Sequence, residues 1–256
     1  MNALFCALLV FIAQMIGWMG GRWVRRLLPP EHLSSNTRDA VVLAAGTVAT
    51  LAALVLGLMI TSAKTSFDAD RASVIDISSN VLLIDRALAH YGDGAKQARE
   101  LLHGFLQRTV DELAFPSKPS LPASEPAASM TPMPEMARFQ TALLTLSPTN
   151  DGQRWLQTRA LGLTGDLERA RVLFAERSEG SIPAAFLTVL TAWLAMLYMA
   201  FALFAPPNAT VTATALGGSA ALSAAIFLIL ELDTPFQGLI KVSGEPLVRT
   251  LELLGR

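Results

Sequence analysis

The sequence predicts an all-α integral membrane protein: four transmembrane helices in two pairs, with a helical soluble domain inserted between spans two and three. Three observations predict it. Residues 180–230 carry no charged side chain, and neither do residues 3–21 or 40–63. A bilayer core takes about 20 apolar residues per helical crossing, so the longest run fits two crossings joined at Pro206-Pro207-Asn208. Residues 64–179, by contrast, mix both signs of charge, and their apolar residues recur at steps of three and four, the period of a helix. No stretch alternates as a strand does.

The first pair occupies residues 1–63. Its first span lacks the basic start and the small-residue cleavage site of a secretory signal, and its apolar core is longer. It ends in Gly20-Gly21-Arg22 with Arg25 and Arg26 behind, which reads as an anchor stopping at the headgroups. Cys6, the only cysteine, lies within it. An intrachain disulfide is therefore excluded, as is a cysteine-based metal site.

On the second span, Thr47, Thr50, Leu54, Gly57, Thr61, Lys64 and Asp68 share one helix face by their spacing. That face is small and hydroxylated within the membrane, and charged where the helix leaves it. One reading is a pore-lining stripe (Thr47, Thr50, Leu54, Gly57, Thr61), repeated around a symmetric oligomer, with Lys64, Asp68 and Arg71 setting charge at the mouth. The other is close helix packing, for which Ala45, Ala49, Ala53 and Gly57 offer an adjacent small face.

The soluble domain, residues 64–179, opens with an amphipathic helix over residues 66–91, striped by Val74, Ile77, Val81, Ile84, Leu88 and Tyr91. Gly92-Asp93-Gly94 breaks it, and a second stripe through Ala98, Leu102 and Phe105 suggests an antiparallel partner. Six prolines among Ser and Ala make residues 115–134 a loop. Helix resumes near Glu135, pauses over residues 147–152, and runs long through Trp155, Leu163 and Leu167.

The second pair spans residues 180–232, with Pro183 in a first-turn position. Its last helix carries a small-residue ladder (Ala213, Gly217, Ala221, Ala225), beside Ser219 and Ser223, which can hydrogen-bond across helices. The tail, residues 233–256, twice sets a capping residue ahead of a proline, at Asp233-Thr234-Pro235 and at Ser243-Gly244-Glu245-Pro246. Leu247, Leu251 and Leu254 form an apolar stripe beyond.

Several function classes are excluded or disfavoured. Net charge is −1, without clustered Lys and Arg, which argues against nucleic acid. No Asp, Glu, Lys, Arg or His sits inside a span, where coupled transporters place their ionisable groups. His32, His90 and His103 lack metal-ligand spacing, and no phosphate loop or nucleophile elbow occurs. No enzymatic activity, cofactor or metal is expected.

Asp233-Thr234-Pro235-Phe236-Gln237-Gly238, then Val242-Ser243 and Glu245-Pro246-Leu247, resembles the closing motif of the bestrophin-like family of bacterial and plant membrane proteins. The motif residues are Asp233, Pro235, Phe236, Gly238, Glu245 and Pro246. Gly57 through Phe67-Asp68 and Arg71, with Asn80, resemble a second family region, although Ser78 stands where that family usually shows Glu. The resemblance implies a distant likeness to bestrophins proper: pentameric anion channels whose second span lines the pore, with a helical domain on the cytoplasmic side.

These readings lead to an oligomeric membrane protein passing small ions; the resemblance implies a pentamer and anions. The partners expected are the lipid bilayer and further copies of the chain. Arg22, Arg25, Arg26 and Arg38, taken alone, place the first loop in the cytoplasm, but Lys64, Arg71, Arg169, Arg171, Arg177, Lys241 and Arg249 outnumber them, which places both termini and the soluble domain on the cytoplasmic side of a bacterial inner membrane. The rival is a non-conducting scaffold or sensor, with the Pro-rich loop and the tail helix as contact points for a soluble partner.

Overall fold

Two helices that never meet in sequence form the tightest contact of the membrane-type unit. The computed structural model describes residues 2–114, 134–177, 182–234 and 238–254. Among them every regular element is helical: α1 Ala3–Leu27, α2 Ser35–Tyr91, α3 Lys96–Ala114, α4 Pro134–Leu144, α5 Asp151–Arg177, α6 Ala184–Phe204, α7 Ala209–Asp233 and α8 Glu245–Leu253, with short 3₁₀ turns at Pro30–Leu33 and Asp93–Ala95. The chain divides into two compact units, residues 1–66 with 180–234, and residues 67–179 with 235–256.

The first unit holds helices long and apolar enough to cross a membrane: α1, α6, α7 and the first part of α2. Gly17 of α1 lies against the Ala195 backbone of α6, and Gly21 against that of Met199. The Arg25 guanidinium donates to the Ala205 carbonyl at the end of α6. Contacts that advance together along both chains make α1 and α6 parallel, so both start from the same side of the bundle. Glycine permits this approach because a side chain would hold the backbones apart. The turn into α7 is short, and Asn208 caps it by accepting the Val211 N–H at 2.8 Å. Val10, Leu190, Leu194, Ile226 and Ile229 fill the centre, with Ala45, Ala52, Met59 and Ala63 from α2.

Of the small-residue ladder of α7, expected to pack within the chain or against a neighbour, Ala213, Gly217 and Ala221 are exposed and Ala225 is half-buried, while Ser219, Ser223, Ile226 and Ile229 form the buried face. Neither Ser219 nor Ser223 finds a hydrogen-bond partner for its hydroxyl among the described residues. The second span and the amphipathic helix expected after it are one helix of 57 residues. No Gly or Pro interrupts residues 58–91, so nothing stops propagation until Gly92, whose φ of +102° ends the helix.

The second unit buries the stripe of α2 from Val74 to Tyr91 against Phe105, Met136, Phe139, Leu143, Leu163 and Leu167. Asp85 accepts both Nε and Nη2 of Arg99, at 2.7 and 3.1 Å, which ties α3 back onto α2. The hydrogen bond to Asp85 holds the Arg99 guanidinium more firmly protonated than usual, against the opposing effect of its burial. Gln157 donates to the Leu143 and Leu146 carbonyls, and Gln153 to that of Tyr91, stapling the turn between α4 and α5. Residues 115–133, which cover almost all of the expected Pro-rich loop, lie outside the described residues.

Candidate functional site

The face singled out on the second span is the exposed one. Only 11% of the α2 span is buried inside the chain, against 39%, 28% and 22% for α1, α6 and α7. Buried or half-buried positions run through Ala45, Ala49, Ala52, Leu56, Met59 and Ala63. Thr47, Thr50, Leu54, Gly57 and Thr61 lie on the other side, all exposed. Leu51 and Leu58 flank Leu54 and are exposed as well. The adjacent small face is split: Ala45 is buried, while Ala53 and Gly57 are open.

The threonine hydroxyls have a defined orientation. Thr47, Thr50 and Thr61 donate to the carbonyls of Leu43, Gly46 and Gly57, four residues back, at 3.1, 3.0 and 2.9 Å. With each hydroxyl hydrogen held by the helix, the oxygen lone pairs point outward. Such a face accepts hydrogen bonds from water. It does not supply donors to a bare anion.

Lys64, Asp68 and Arg71 are exposed on the same helix. Lys64 belongs to the first unit, and Asp68 and Arg71 to the second.

The tail motif divides. Asp233 ends α7, and its carboxylate accepts the Ile182 N–H at 3.4 Å. The expected helix start at Asp233 is thus replaced by a contact toward the start of α6. Pro235 and Phe236 lie outside the described residues, and Gly238 sits in a bend. Glu245 and Pro246 open α8, where Ser243 Oγ accepts the Glu245 N–H at 3.2 Å. Ser78, at the position the resemblance marks as usually Glu, reaches this motif. Its hydroxyl donates to the Pro246 carbonyl at 2.8 Å and lies 2.6 Å from Thr250 Oγ1. Because the Ser78 hydrogen goes to Pro246, Thr250 is the donor in the second bond. Leu247 and Leu254 are buried in this unit's core, with Leu251 packed against it. The apolar stripe of the tail helix is therefore not free to recruit a partner, which counts against the scaffold reading.

Sequence reasoning missed two features. Gly17 and Gly21 form a small-xxx-small pair that was legible in the letters. Gln14, the one amide side chain within residues 3–21, is fully buried, and neither its Oε1 nor its Nε2 has a partner among the described residues. No group of three or more His, Cys, Asp or Glu residues among the described residues could hold a metal ion.

The model of the Bestrophin-like domain matches residues 12–247. A comparison with curated proteins returns no match. Among solved structures, a bacterial bestrophin homologue from Klebsiella pneumoniae, in two single-residue variants, superposes with TM-scores of 0.64 and 0.63 at 16% identity, covering 99% of this chain and 97% of that one. A structure described as a membrane protein superposes with a TM-score of 0.65 at 16% identity, covering 99% of both chains. At this identity the likeness is one of fold.

Proposed function

The chain belongs to the bestrophin-like family, and from that membership we propose that copies of it assemble around α2 into an ion-conducting pore, with anions as the transported class. The observation that carries the proposal is the exposure of the α2 span. The Thr47, Thr50 and Thr61 oxygens keep outward lone pairs, which water satisfies and lipid does not. A ring of copies, five by the family resemblance, turns Thr47, Thr50, Gly57 and Thr61 toward a shared axis. Leu54 then forms a narrow apolar collar, and Lys64, Asp68 and Arg71 set charge where the helix leaves the membrane. Because the threonine hydrogens are held by the helix, the stripe wets the conduit and leaves an ion's hydration largely intact.

In the same reading, residues 64–179 form a soluble domain inserted between two hairpins, on the cytoplasmic side of a bacterial inner membrane. The parallel α1 and α6 support the insertion between two hairpins, since both hairpins start from one side; the cytoplasmic side follows the balance of basic residues. A reporter enzyme active only in the periplasm, fused after Pro132, should be silent; activity would reverse the orientation.

The pore itself is tested with purified protein in planar bilayers. Conductance should appear, and Thr61→Phe should reduce it. A silent bilayer over a wide range of ions and voltages, from a particle with the mass of a monomer, would refute the proposal.

A further inference from the structure

The membrane-type unit has a second feature that the pore does not use. A partly open cavity of about 450 Å³ lies among α1, α2, α6 and α7, lined among others by Trp18, Ala49, Ala52, Phe201, Ala205 and Ala215. Alanines on the α2 side are too short to reach across. Apolar walls with nothing against them forfeit their dispersion contacts, so in hydrocarbon an apolar, chain-shaped occupant is favoured.

A separate observation says what else that occupant carries. Trp18, Arg22 and Arg26 follow one another at four-residue steps along α1 and so share a stripe. Arg25, on the same turn, is committed to the carbonyl of Ala205, itself a wall of the cavity, which brings this basic turn to the cavity rim. Arg22 and Arg26 make no hydrogen bond or ion pair with any described residue. Trp23 and Leu27 beside them are 63% and 64% exposed, as expected of side chains at headgroup level. Two free guanidinium groups above an apolar cavity match a phosphate ester attached to a hydrocarbon chain.

We propose that this unit binds an anionic phospholipid, its phosphate between Arg22 and Arg26 and one acyl chain in the cavity. The lipid is a fixed component of the bundle and fills the gap that α2 leaves.

The test is native mass spectrometry of the full chain after incubation with phosphatidylglycerol or phosphatidylcholine. The parent protein should retain phosphatidylglycerol roughly tenfold better, equivalent to about 1.4 kcal/mol. The double variant R22Q/R26Q, which removes no hydrogen bond or ion pair to a described residue, should lose that preference at unchanged particle mass. Ala49→Phe should lower retention of both lipids, with helicity as a check on folding. Retained preference in R22Q/R26Q would overturn the proposal. So would a changed particle mass with unchanged lipid in Ala49→Phe, which would show that a neighbouring copy fills the cavity. Displacement of the lipid by inorganic phosphate alone would assign the arginines to a free anion and also overturn it.

Discussion

Adding one methyl group at Gly17 or Gly21 tests the central contact of the bundle. A Cβ built at Gly17 would stand 2.1 Å from the Ala195 carbonyl oxygen, and one at Gly21 2.2 Å from that of Met199. Ordinary contact begins at 3.4 Å, so the added carbons fall short by 1.3 and 1.2 Å respectively. The obstacle in both cases is backbone, which cannot swing aside as a side chain does. The helices must separate, losing both the close packing and the Cα–H···O contacts that it permits, worth about 0.5–1 kcal/mol each. Overpacking of this kind costs about 1–3 kcal/mol per site. For a chain of this size each kcal/mol lowers a melting midpoint by about 2–4 °C. The assay is thermal unfolding of the detergent-solubilised protein, followed by loss of the monodisperse particle. Gly20→Ala and Gly46→Ala are the controls, because nothing lies within 4 Å of a Cβ at either. They should be neutral or gain about 0.5–1 kcal/mol from helix propensity. If Gly17→Ala and Gly21→Ala melt where the controls do, the parallel α1–α6 contact is wrong.

Three further perturbations probe the polar groups. Gln14→Leu removes a buried amide without a partner among the described residues and should stabilise the bundle by about 1 kcal/mol in the same melt; a loss of similar size would reveal a partner beyond those residues. Asp85→Asn removes the charge and one of the two oxygens that accept from Arg99 and should cost about 1–3 kcal/mol, whereas Asp76→Asn, at an exposed position of the same helix, should cost nothing measurable. Ser78→Ala leaves the buried Thr250 hydroxyl unsatisfied and should expose the tail to limited proteolysis. Adding Thr250→Val should restore part of that loss, since the two side chains share one network.

How much of this was legible follows from the range of the forces involved. The spans are set by local composition, and the stripe from Val74 to Tyr91 by local period, so both could be read directly. That Thr47, Thr50 and Thr61 share a face could be read from their spacing, but which face of α2 turns inward depends on α6 and α7. The shared face through Lys64 and Asp68 already carried the helix past the end of the span, and no residue there breaks it. The choice between two small-residue ladders could not be made locally. Gly17 and Gly21 find backbone far along the chain, while Gly217 and its neighbours find none. Ser219 and Ser223 were expected to bond across helices, but the packing turned them inward without an acceptor. Ser78 meets Pro246 and Thr250 only because the tail returns to α2, which no window of neighbouring residues reveals.

The parallel contact between α1 and α6 also bears on how the molecule is made. Arg25 and Ala205 are 180 residues apart, and synthesis adds about 5–20 residues per second. The glycine surface of the first helix therefore waits on the order of 10 to 40 s for its match to leave the ribosome. Through that interval the first hairpin must persist in the bilayer half-assembled, and a nascent chain arrested before the third hydrophobic segment would present the bare seam to whatever membrane chaperone or lipid lies nearby.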